Sequence, residues 1–260
     1  MTDETLYVYA VVPADTPAPS VTGIDGRPLR LITAPSGLAA VVHPHESGPY
    51  EGPDEDVKRW VLQHSDVVED CWTRAASVLP VSFNVIVRAS EETGDSPEEQ
   101  LKRWLTETKE ELHQKLEELA GTSELRVEII LDQHEFSRNN DQVLQLTAEM
   151  ESRPAGVRRL LQKRLEKLEK QLTDRAADDL YPTYRSRVAA RSLQLQEYTS
   201  SQRPAGTVPV LSAACLVSSE RVRDLGAELT SIQEETPEAQ IRFLGPWPPY
   251  SFVDFTAPQA

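Results

Sequence analysis

The sequence predicts an α+β protein of two domains. Residues 1–135 are expected to form a ferredoxin-like unit, an antiparallel sheet with helices on one face, and residues 136–260 a second α+β unit. Three observations carry this. Short β-branched and aromatic runs alternate with two amphipathic helices in the first half. A long, highly charged helical pattern occupies 157–199. A second strand–helix–strand series then runs from Val208 into a proline- and aromatic-rich close.

The elements of the first half follow from residue type. Leu6-Tyr7-Val8-Tyr9-Ala10-Val11-Val12 is aromatic and β-branched and stops at Pro13, which reads as a strand. The proline-rich stretch 13–28 is loop, and Gly23-Ile24-Asp25-Gly26 reads as a turn into a hairpin of 29–33 and 38–43. Val57, Trp60, Val61, His64, Val67, Val68, Cys71, Trp72 and Ala75 recur every three or four residues as a helical stripe. Leu79 to Val87 reads as one strand. Ser96, Pro97 and Glu99 form a capping-box start for a helix whose buried face is Leu101, Trp104, Leu105, Leu112, Leu116 and Leu119, with Gly121 ending it. Leu125, Val127, Ile129 and Leu131 then alternate as a strand.

In the second half, a short helical candidate in 135–156 precedes Arg153-Pro154-Ala155-Gly156. From Val157, Leu160, Leu161, Leu165, Leu168, Leu172 and Ala176 make an apolar pattern set among Lys, Arg and Glu, with a break or kink allowed at Pro182 and helix resuming through Leu195 and Tyr198. A coiled coil and a helical hairpin packed on a sheet both fit that spacing. Val208 to Val217 reads as a buried strand, Ser219 as the cap of a short helix, and Gln240 to Leu244 as another strand. Gly245-Pro246-Trp247-Pro248-Pro249-Tyr250-Ser251-Phe252 cannot be helix or central strand, because proline fixes φ and donates no hydrogen bond. Pro246, Trp247, Pro248, Pro249, Tyr250 and Phe252 are therefore either a rigid corner packed on a core or a preorganised partner contact. A strand starting at Phe252 is expected to follow.

Composition narrows the function classes. A net charge of −15 opposes nucleic acid as the main partner, since affinity there rests on neutralising phosphates. The longest uncharged apolar run, Val208 to Val217, is too short to span a bilayer. Met1-Thr2-Asp3-Glu4 lacks the basic flank and apolar core of a signal peptide, so a cytoplasmic protein is expected. Cys71 and Cys215 sit in apolar contexts and read as two buried thiols.

No chemical motif asks to be read as an active site. His43-Pro44-His45 offers two metal ligands, short of the three or more that a functional site needs. His64 lies on its helix's apolar stripe and reads as a core histidine or a residue at the stripe's edge, while His113 and His134 read as solvated. Phosphate loops, dinucleotide fingerprints, nucleophile elbows and HExxH are not found. No enzyme, cofactor or metal is expected.

Five stretches, in order, resemble the GvpF/GvpL family of gas vesicle proteins. They are YVYAVV with GIDG and SGLAAVV, then VLPVSF, then LAGTSE before a β run, then LSAACLV, and last GPWPPYSFV. Within the second, Ser82 and Asn84 stand where the family commonly has a basic residue and glycine. The resemblance implies two α+β domains, the first a modified ferredoxin-like unit, and no enzymatic activity or cofactor. It implies an accessory role in gas vesicles, contacting the hydrophobic small shell protein of GvpA type, and other accessory proteins, during nucleation or growth. A minor place in the vesicle itself is also implied. The alternative class is a ferredoxin-like module binding a small ligand, or an enzyme with dispersed residues.

Overall fold

The computed structural model describes residues 5–254 apart from 47, 76, 91, 201 and 202. The chain separates into two compact units, one running to Ser123 and taken up again from Trp247, the other spanning Glu124–Pro246.

In the first unit, β1 (Thr5–Pro13) is the central strand. It pairs antiparallel with β3 (Leu38–His45), which pairs with β2 (Arg30–Thr33). On its other side it pairs antiparallel with β4 (Leu79–Pro80) and β5 (Ile86–Val87). The register of β1 on β3 shifts between Val8 and Ala10. Such a bulge changes side-chain parity, so Tyr7 before it, Tyr9 within it, and Ala10 and Val12 after it all enter one core cluster.

That cluster takes Val67, Val68 and Cys71 from α1 (Asp54–Arg74). The intervening Leu6, Val8 and Val11 of β1 and Leu38, Ala40 and Val42 of β3 are equally buried, so both faces of the sheet are covered. The helices α2 (Pro97–Glu107) and α3 (Lys109–Leu119) also pack on this sheet. Their Leu101, Leu105 and Leu112 are buried outside the α1 cluster. Helices on a single face were expected; the doubly buried strands call for a cover on each side.

Three local expectations change. The single strand at 79–87 is two short pieces, β4 and β5, separated by a loop in which Asn84 adopts φ 71°. The long helix after Ser96 breaks at Thr108 into α2 and α3. Thr106 and Thr108 each donate a hydroxyl to the carbonyl four residues back, a competition that bends helices. Its start is as expected, with the Ser96–Glu99 capping box formed and Pro97 in the first turn, and Gly121 leaves it with φ 66°.

The second unit holds a sheet in the order β7-β8-β6-β9. Its strands are β6 (Thr122–Asp132), β7 (Gln194–Glu197), β8 (Thr207–Ser218) and β9 (Ala239–Trp247). The strand at 125–131, expected to complete the first sheet, pairs in this one. Periodicity identifies a strand but not its neighbours, which here are far along the chain.

Helices α4 (Gln133–Ser137), α5 (Asp141–Glu151), α6 (Ala155–Ala190) and α7 (Val222–Glu235) belong to this unit. The core takes Ala177, Tyr184 and Val188 from the second half of α6 and Leu225, Leu229 and Ile232 from α7. The first half of α6 forms a separate hairpin with α5 around Val143, Leu146, Leu161 and Leu165. α6 runs unbroken through Pro182 and ends at Ala190, after which residues 194–197 are strand rather than continued helix. α7 begins at Val222 behind a 3-10 turn over Ser219–Arg221. Cys71 and Cys215 are buried free thiols, their pKa values pushed up to about 12 and about 11, chiefly by burial. No helix among the described residues is long and apolar enough to cross a membrane.

Candidate functional site

Two regions hold the residues singled out above: a tyrosine–histidine centre in the first unit, and strand β9 with the segment that follows it.

The bulged β1 aims Tyr7 and Tyr9 at α1, where they meet His43 from β3 and His64 from α1. Tyr9 Oη accepts the Ile24 backbone N–H at 2.8 Å and lies 2.8 Å from His43 Nδ1. Having accepted from Ile24, the hydroxyl has its proton to give to His43 Nδ1. The other His43 nitrogen, Nε2, lies 3.3 Å from Tyr50 Oη. Tyr7 Oη accepts the Asn84 backbone N–H at 3.1 Å and reaches His64 Nδ1 at 3.0 Å. His64 Nε2 donates to the Val81 carbonyl at 3.0 Å, which fixes the neutral tautomer with Nδ1 as acceptor from Tyr7.

Burial lowers the pKa of both His43 and His64 to about 4; His45 and Arg27 add to the effect at His43. Tyr7 and Tyr9 are raised for the same reason, and Tyr50 is pushed up to about 12. The rings pack on one another: Tyr7 stacks on His43 at 5.1 Å and Tyr9 on His64 at 5.2 Å.

Two backbone positions hold this centre together. Asn84 tolerates its left-handed φ because asparagine is among the few residues that do. Its side chain accepts the Tyr50 N–H at 2.8 Å and donates to the Tyr50 carbonyl at 3.2 Å. At Gly23, a Cβ would stand 2.7 Å from Tyr9 Oη, so only glycine lets the 23–26 turn deliver Ile24 N–H to that hydroxyl.

The centre is inward-looking. Both nitrogens of His43 and of His64 are spent on protein partners, and His45 Nε2 donates to the Gly48 carbonyl at 2.8 Å. His43 and His45 thus turn their rings to tyrosines and backbone. Among the described residues, no group of three His, Cys, Asp or Glu converges as metal ligands.

The closing segment divides. Pro246 and Trp247 are exposed at the end of β9, while Pro248, Pro249 and Phe252 are buried and Tyr250 is half-buried against the Tyr7–Tyr9 cluster. The peptide before Pro246 is cis. Residues Tyr250–Phe252 form a 3-10 turn, held by Tyr250 N–H to the Pro248 carbonyl at 2.8 Å, in place of the expected strand. Phe255 lies outside the described residues.

β9 ends its sheet, and from Arg242 to Trp247 every residue is exposed. Ala239 is buried and Ile241 packs on the core, but Phe243 is only capped from one side by α7 near Gly226. Leu244 is 41% exposed and Trp247 36%. Sequence reading located this strand and missed its exposure, because an apolar run looks the same at an open edge as in a core. The proline cluster just beyond was the available signal, since proline is confined to sheet edges.

The whole described span matches a known family, "Gas vesicle synthesis protein GvpL/GvpF", over residues 5–254. The chain is 33% identical to gas vesicle protein L2 of Halobacterium salinarum, the alignment covering 95% of this chain and 90% of that one. Gas vesicle protein L of Haloferax mediterranei is 31% identical, with coverage of 90% and 73%. The crystal structure of GvpF from an Anabaena species superposes with a TM-score of 0.68 at 18% identity, covering 98% of each chain. That of GvpF from Microcystis aeruginosa gives 0.65, also at 18%, covering 96% of this chain and 99% of that one. At that identity the two structures speak to fold alone, and they share the α+β architecture described here. The chain belongs to the GvpL/GvpF family of gas vesicle synthesis proteins.

Proposed function

We propose that this chain is a gas vesicle assembly factor that binds the hydrophobic small shell protein of GvpA type during nucleation or growth, and stays as a minor vesicle component. The observation that carries the reading is β9: a sheet-edge strand presenting Phe243, Leu244 and Trp247 to solvent. An edge strand offers unpaired backbone groups to an incoming strand, and apolar side chains beside them cover apolar surface on the client. A shell subunit with a large apolar face aggregates unless covered. A partner of net charge −15 keeps the pair dispersed. Pro246 lacks an N–H and so has no backbone donor to give an incoming strand at that position. Other gas vesicle accessory proteins are further partners on this reading.

The test is co-expression with the shell protein and capture of the complex, using wild type and Leu244→Ser/Trp247→Ser. The double variant keeps its circular dichroism spectrum and thermal transition and captures at least tenfold less shell protein. In a strain deleted for this chain, the wild-type gene restores buoyancy and the variant does not. Capture undiminished in the variant, or normal vesicles in the deletion strain, would end the proposal.

A further inference from the structure

Two exposed helical stripes of this chain carry the same spacing and opposite charge. On α1, Leu62, Asp66 and Glu69 stand at i, i+4 and i+7, all exposed, Leu62 by 65%. On α6, Leu160, Arg164 and Lys167 stand at i, i+4 and i+7, all exposed, Leu160 by 69%. Residues at those intervals share one helix face. Several charges nearby are used: Arg59 pairs with Asp25 and Asp56, Asp70 with Arg74, Lys170 with Asp174 and Arg153 with Glu149. Among the described residues, Asp66, Glu69, Arg164 and Lys167 make neither an ion pair nor a side-chain hydrogen bond.

The surroundings sharpen the contrast. Residues 153–173 carry seven Lys or Arg against two Glu, a net +5 within a chain of net −15. Arg164 and Lys167 border an open groove of about 580 Å³ between α5 and α6, lined on its far side by Gln142, Gln145, Leu146 and Glu149, the last held by Arg153. The hairpin itself buries only Val143, Leu146, Leu161 and Leu165.

We propose that the α1 stripe of one copy of this chain docks on the α6 stripe of a second copy. Laid parallel, the two helices set Leu62 against Leu160, Asp66 beside Arg164 and Glu69 beside Lys167. The contact is heterologous: each copy offers both halves, so association continues head to tail. It is small, rests on two exposed ion pairs and two leucines, and is therefore weak and salt-sensitive. It uses α1 and α6 and stands independently of the β9 reading.

Sedimentation velocity of the full chain from 5 to 200 μM tests it directly. In 50 mM salt the wild type associates as concentration rises, and 500 mM salt weakens this at least tenfold. Asp66→Lys/Glu69→Lys and Arg164→Glu/Lys167→Glu each sediment as monomers with unchanged circular dichroism. Mixed one to one they associate again in alternation, because both joints between unlike copies pair opposite charges while joints between like copies do not. Leu62→Ser and Leu160→Ser, at exposed positions that folding does not need, each weaken association about tenfold. A wild type monomeric throughout in 50 mM salt, charge-reversed variants that associate as before, or a mixture that stays monomeric would overturn the proposal. So would a 20-nucleotide single-stranded DNA binding the α6 stripe of a wild type that stays monomeric.

Discussion

The tyrosine–histidine centre of the first unit and the exposed elements of the second use polar groups in opposite ways. Around Tyr7 and Tyr9, the hydroxyls, the rings of His43 and His64, and the Asn84 amide all have protein partners. Along β9 and the first half of α6, leucines and cations face solvent, several with no partner. Closed networks specify a fold and have little left to offer a ligand. Open edges and unpaired charges add little to stability and are where a partner has something to gain. On the reading proposed above, the closed centre serves structure and the open elements serve recognition, and each side of that contrast can be pushed.

The largest effect is expected from pH. His43 and His64 have folded pKa values of about 4, below the unfolded value of about 6.5. A base with a depressed folded pKa binds more protons when unfolded, so stability rises with pH across that window. It is fully present above about pH 6.5 and is lost as pH falls toward 4. Between pH 7.5 and 5, urea denaturation should show a loss of about 4 kcal/mol, about 2 from each ring. His64→Gln should roughly halve that dependence, whereas reversing Arg164 should leave it untouched.

Next in size is Tyr9→Phe, which strands Ile24 N–H and His43 Nδ1 in the core and should cost about 2–4 kcal/mol. Gly23→Ala forces a methyl onto the same hydroxyl and should cost a similar about 2–3 kcal/mol. Asn84→Ala should cost about 2–3 kcal/mol, from left-handed strain and two lost hydrogen bonds. Asn84→Gly, relieved of the strain, should cost about 1 kcal/mol less than Asn84→Ala. The smallest effects lie in the second region: Leu160→Ser and Arg164→Glu should stay within about 0.5 kcal/mol in the same denaturation assay. A loss above 2 kcal/mol at either position would erase the contrast.

Much of this was legible in the sequence, for reasons that show where legibility stops. The capping box at Ser96–Glu99 and the glycine exit at Gly121 are local chemistry, and both ends form as read. His64 as a core histidine followed from its place on an apolar stripe. What failed was non-local. Nothing in Leu125 to Leu131 says that its partners are β8 and β9. Nothing at Pro182 says that α6 continues through it. Leu160 was counted with Leu161 on one apolar face, but neighbours on a helix point about 100° apart, and only Leu161 is buried. The departure at Asn84 was visible as a residue change; its meaning waited for the φ angle.

The recognition claim meets its most direct test in a competition between the two regions. Captured shell protein would be quantified for wild type, Leu244→Ser/Trp247→Ser, and Tyr50→Phe, each with its folding verified by thermal transition. Capture should fall at least tenfold for the β9 variant and hold at the wild-type level for Tyr50→Phe. Full capture by the β9 variant, with loss in the variant of the buried centre, would contradict that claim.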